Sequence, residues 1–128
     1  MAILYPLSLP LANPKVQATT VASLASGSSS VLECLNITES KTAKLLCILV
    51  TSSVAFKADL RLIEDGVQSG SKAIWHAADG TWDFKPIDSV FFNVTGNSVA
   101  DQNGYRIIVT NLGIDVADVS AVFYYDEE

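Results

Sequence analysis

The last ten residues, Val119 to Glu128, read VSAVFYYDEE, and they show the pattern on which the fold turns. Alternate side chains of a strand point to opposite faces, so Ala121, Phe123 and Tyr125 share one face and Val122 and Tyr124 the other. Both faces are apolar. Such a strand lies in the middle of a sandwich with something packed outside it, or at an interface. Asp126, Glu127 and Glu128 follow at once, and are expected at an exposed end, where charge stops a sheet from growing.

Working back along the chain, the regular segments are short, rich in Val, Ile, Thr, Phe and Tyr, and divided by turn signals. A strand near Val16 to Ala25 ends at SGSSS. VLECLNI, the polar turn TESKTA and KLLCILVTSSVAF follow. ADLRLI stops at Asp65-Gly66 and KAIWHA at Asp79-Gly80, and Asp-Gly is a strong turn former because glycine tolerates positive φ. TWDF runs to Pro86, which cannot donate to a ladder. SVFFNV ends at Thr95-Gly96, and YRIIVT and NLGIDVAD lead to the closing strand. About eight strands at spacings near ten residues predict an all-β fold, an antiparallel β-sandwich of jelly-roll type, over residues 16–128. Residues 1–15, MAILYPLSLPLANPK, place proline at every fourth position from Pro6 to Pro14 and predict an extended N-terminal arm. Its Ile3, Leu4, Tyr5, Leu7, Leu9 and Leu11 need a surface to lie on, on their own domain or on a neighbouring subunit.

Only 17% of the 128 residues are charged and 49% are apolar, against a usual charged share of about 25%, and the mean hydropathy is +0.32. So uncharged an exterior points to self-association or to a surface built from Ser, Thr and Asn. A net charge of −6 repels phosphate backbones and anionic lipid, which argues against nucleic-acid and membrane-surface partners. No apolar run reaches the length of about 20 residues that spans a bilayer. The N-terminal stretch lacks a basic start and makes a poor signal peptide.

The residues that could carry chemistry are few. Cys34 and Cys47 would face each other on paired strands if a turn centred on Ser40 and Lys41 joined them; a disulfide or two reduced, packed thiols are the alternatives, and with no export signal the reduced pair is expected. His76 is the only histidine, near Asp79 but without a nucleophile motif, and is expected at a solvated strand end. Asp79 with Asp83, or Asp101, could offer oxygens to calcium, though neither stretch has EF-hand spacing. NIT at Asn36 and NVT at Asn93 match the glycosylation acceptor pattern. Trp75, Trp82 and Tyr105 could stack on sugar rings, with Trp82 and Phe84 as core residues the competing reading. No catalytic, cofactor-binding or metal-binding residue is assigned, and a non-enzymatic protein is expected.

The apolar proline-spaced arm, the small acidic β domain with ADLRLIEDG in mid-chain, and GYRIIVTNLGIDVADVSAVFYYDEE at its end resemble, in overall plan, the small decoration or cement proteins of tailed-phage capsids. The resemblance implies a structural protein of the virion, assembled in the host cytoplasm, that forms a homotrimer on the head and clamps major capsid subunits, with no cofactor. Ile3, Leu4, Tyr5, Leu7, Leu9, Leu11, Val122 and Tyr124 would be its contact residues. A carbohydrate-binding sandwich and a tail or fibre subunit are the alternatives.

Overall fold

The computed structural model describes residues 11–86, 89–96 and 102–128. Its strands are β1 (Pro14–Leu24), β2 (Ser29–Cys34), β3 (Thr42–Ser52), β4 (Phe56–Glu64), β5 (Val67–Gln68), β6 (Ala73–Ala77), β7 (Thr81–Phe84), β8 (Val94–Thr95), β9 (Gly104–Asn111) and β10 (Ala117–Glu127). They form two five-stranded sheets. The first has the order β1-β10-β3-β7, with β8 beside another part of β3; the second has β2-β9-β4-β5, with β6 beside another part of β4. Every pairing of these strands is antiparallel. The chain changes sheet from β1 to β2, β2 to β3, β3 to β4, β6 to β7, β8 to β9 and β9 to β10, which is the wrapping of a jelly roll. The expected antiparallel sandwich is therefore the fold. No helix among the described residues is long and apolar enough to cross a membrane.

Inward-facing positions of both sheets fill the core. Leu45, Ile48, Val50, Ala121, Phe123 and Tyr125 from the first meet Leu32, Phe56, Leu60, Tyr105, Ile107 and Val109 from the second. A bulge at Leu46, where Tyr124 pairs with Cys47 but Tyr125 with Leu45, keeps Leu45 and Ile48 both facing inward although three residues separate them. Tyr105 stacks on Phe123 at 6.4 Å, and its hydroxyl donates to the Phe92 carbonyl at 2.9 Å. Burial pushes this phenol far above its ordinary range, so it remains a donor. At Asp65-Gly66 both residues have positive φ, 52° and 77°, as the two-residue turn between β4 and β5 requires.

Three local expectations fail. TESKTA does not join a hairpin, because β2 and β3 belong to different sheets. Cys34 faces the core while Cys47 lies on the outside of the first sheet, so they do not oppose one another, and both thiols are free. SVFFNV is not a continuous strand: Ser89–Phe92 is a 3-10 turn, and only Val94–Thr95 pairs. The turn lets Phe92 pack edge-on against Phe84 at 5.2 Å while Phe91 stays outside beneath the Lys72 ammonium.

The terminal carboxylates also behave differently from expectation. Asp126 and Glu127 are buried. Asp126 accepts the backbone N–H groups of Ala12 and Asn13 at 3.1 and 2.7 Å, and Glu127 accepts both the N–H and the hydroxyl of Thr38 at 2.7 and 2.8 Å. Only Glu128 is exposed, paired with Lys44. The strand ends in acids because each fastens a segment that crosses its end, and a carboxylate is acceptor-only with room for several donors.

Asp126→Ala would leave two N–H groups without their acceptor and is expected to cost about 1–3 kcal/mol, read as a lower denaturant midpoint with an unchanged m-value. Burial raises the Cys34 thiol above its usual range, and burial together with Asp83 raises Cys47. In a native thiol titration at pH 8, Cys47 should react slowly and Cys34 only after unfolding.

Candidate functional site

The register aligns the outward-facing residues of the first sheet in rows: Pro14, Asp126 and Lys44 lie at one end, and three rows follow. Val16, Tyr124 and Cys47 form one; Ala18, Val122, Leu49 and Asp83 the next; Thr20, Ser120, Thr51 and Thr81 the third. Asp83, on the short strand β7, is the only ionisable carboxylate or base in these three rows, and Lys85 neutralises it at 2.7 Å. Val16 is 63% exposed and Tyr124 38%.

The outside of the second sheet is its opposite. Its rows are Ser29, Thr110, Lys57 and His76; Val31, Ile108, Asp59 and Ile74; and Glu33, Arg106 and Arg61. Glu33 pairs with Arg106 at 2.7 Å and Asp59 with Arg61 at 2.9 Å. An antiparallel sheet with one face in water carries polar residues on that face. The second sheet follows this rule in two of its three rows, Val31, Ile108 and Ile74 being the exceptions, whereas the middle of the first presents aliphatic, aromatic and hydroxyl groups.

A second feature lies where β6 and β7 face each other across the open edge of the sandwich. A cleft of about 410 Å³ is lined by Ala73, Ile74, Trp75, Trp82, Asp83 and Lys85 among others. Trp75 pairs with Ala58, whose side chain is in the core, but β6 is an edge strand and leaves the indole 50% exposed. Trp82 is buried, stacked on Phe84 with centroids 5.2 Å apart. Lys85 holds the Asp83 carboxyl below the usual carboxylate range, helped by the Cys47 thiol, whose sulfur is 3.4 Å from Oδ1. The cleft offers one indole face, a carboxylate and an ammonium.

Of the residues singled out in the sequence, Val122 and Tyr124 both lie on the outer face of the first sheet, half-buried and exposed respectively. Leu11 is exposed, and Ile3, Leu4, Tyr5, Leu7 and Leu9 lie outside the described residues. Tyr105 and Trp82 are in the core, which removes both from the aromatic trio and leaves Trp75. His76 is exposed on β6, while Asp79 accepts the Thr81 N–H in its own turn. No group of three or more His, Cys, Asp or Glu that could hold a metal ion exists among the described residues; Asp101 lies outside them.

Sequence reasoning missed Val16, Ala18, Cys47 and Leu49. The signal was present: VQATTVASL and LLCILV each run without a charge, which an outward-facing strand would ordinarily carry. It also missed the loop after β9, where Ile114 is 92% exposed between Leu112 and Val116, although the Asn111 side chain binds the Leu24 and Asp115 carbonyls and the Gly113 N–H.

No family model matches the chain, and no curated protein matches it. Among solved structures, it is similar to the N-terminal cellulose-binding domain of β-1,4-glucanase C from Cellulomonas fimi, with 19% identity and a TM-score of 0.43, over 87% of this chain and 78% of that one. It is similar also to a CBM4 structure, with 18% identity and a TM-score of 0.40, over 87% of this chain and 84% of that one.

The two tryptophans should separate cleanly by mutation. Trp82→Ala empties the core and is expected to cost about 3–5 kcal/mol. Trp75→Ala should cost less than about 1 kcal/mol. Acrylamide should quench the fluorescence of Trp75 strongly and that of Trp82 weakly, each measured in a variant with the other indole replaced by Phe.

Proposed function

We propose that this protein is a non-enzymatic structural protein that attaches to a protein shell through the outer face of its first sheet, as a decoration protein of a tailed-phage head. The observation that carries the reading is the difference between the two outer faces. Two ion pairs tie charged residues on the outside of the second sheet, while between the Asp126–Lys44 row at one end and the hydroxyl row of Thr20, Ser120 and Thr51, the first shows Val16, Ala18, Cys47, Leu49, Val122 and Tyr124 across β1, β10 and β3. Leaving such a face in water forgoes about 25 cal/mol for each Å² of apolar surface that a partner could cover. Many copies on a symmetric shell would add modest contacts into firm attachment.

Val122→Asp and Tyr124→Asp, made singly, test this. In this reading the chain is found in purified virions of the phage that encodes it, and heads stripped of it rebind the purified protein. Each substitution should weaken rebinding at least tenfold while the melting temperature moves by no more than a few degrees. Absence from the virions, or rebinding indifferent to both changes, would overturn the reading.

The half-exposed Trp75 favours a second reading, a carbohydrate-binding module that stacks a sugar ring in the β6–β7 cleft with Asp83 and Lys85 to accept and donate hydrogen bonds. Titration with soluble oligosaccharides should then change the tryptophan fluorescence, and Trp75→Ala should abolish binding that Val122→Asp leaves intact.

A further inference from the structure

We infer that β1 is an open edge that pairs with β1 of a second copy of this chain, antiparallel about a two-fold axis through Ala18. The inference goes beyond attachment to a shell and does not require it.

Glu127 donates its N–H to the Asn13 carbonyl, which fixes the phase of the β1–β10 ladder. The inward-bonding residues of β1 are the odd ones, so Val16, Ala18 and Thr20 direct their N–H and C=O groups away from β10. No strand among the described residues pairs with that side of β1. The other sheet edges carry the devices that discourage pairing. β5 and β8 have two residues each; β7 has four and runs into Lys85 and Pro86; β6 ends beside the exposed His76, and β2 carries Glu33. β1 has eleven residues, with no charge and no proline after Lys15.

The ends of β1 set the register. Pro14 has no N–H to give, and a bulge interrupts the ladder after Val21. Ala18 is midway between Pro14 and Ala22. Pairing about it puts Ala18 opposite Ala18 of the second copy and Val16 opposite Thr20, and sets no two charges against each other. It also joins the two outer faces, with Val16 and Tyr124 of both copies on one continuous sheet. Everywhere else two copies of net charge −6 repel. Isologous pairing of this kind closes at two, a dimer in place of the trimer that the phage resemblance implies.

Light scattering behind a sizing column, on the full chain from micromolar to millimolar, tests the inference. A dimer is expected. Ala18→Lys sets two ammonium groups against each other at the axis and should raise the dissociation constant at least tenfold; Ala18→Pro removes only an outward N–H and should do the same. Lys57→Ala, on the other sheet, should change nothing. Hydrogen exchange at Val16, Ala18 and Thr20 should slow with rising concentration in the wild type and not in the variants. If Ala18→Lys unfolds the chain, the wild-type mass and exchange data still decide. A monomer throughout, a trimer, or protection at these amides that ignores concentration would overturn the proposal, the last by showing that the chain covers its own edge. None of these results bears on rebinding to heads, so the shell-contact reading stands or falls separately.

Discussion

The ladder that β10 makes on both sides is the constraint on which the rest of the molecule depends. β10 pairs with β1 along one edge and β3 along the other, so the first and last strands of the described domain close the first sheet together. Its inward face carries Ala121, Phe123 and Tyr125 into the core, and its final acids fix what passes across its end. Energetically the core dominates. Truncating a buried Phe costs about 3–5 kcal/mol, while a hydrogen bond to a charged group contributes about 1.5–3. The acids act on position more than on stability: Asp126 sets where residues 12 and 13 enter β1, and Glu127 holds the segment that crosses between the sheets at Thr38.

From this arrangement the two outer faces acquire different characters. The second sheet has one row of charges, Glu33, Arg106 and Arg61, tied by ion pairs to each other and to Asp59. The first sheet has the same antiparallel construction, with its charges at the ends of the strands and at Asp83, and none among Val16, Ala18, Val122, Tyr124, Cys47 and Leu49 between them. The uncharged positions are contiguous in the middle of the first sheet's outer face, and β1 carries no charge after Lys15.

Much of the fold was legible in the sequence. Strand positions followed from period-two alternation and from turns such as Asp65-Gly66 and Asp79-Gly80, whose backbone requirements are local. Where the sequence misled, it did so over partners. VLECLNI and KLLCILV are adjacent strands in the chain but belong to different sheets, so the hairpin and the facing cysteines did not survive. Asp126 and Glu127 look like a solvated tail until the N–H groups of Ala12, Asn13 and Thr38 are brought to them from far along the chain. Tyr105 has no local mark that distinguishes a buried phenol from a sugar platform.

The sequence by itself determined the alternation of β10, the all-β character, and the shortage of charge, because each depends on side-chain chemistry and on a period that neighbouring residues share. Only the tertiary structure decided that Trp75 is exposed and Trp82 buried, that Val16 stands in one row with Tyr124 and Cys47, and that Glu33 meets Arg106 on the second sheet. Those facts depend on register between strands as far apart in the chain as β1 and β10, and register is set by the whole core at once.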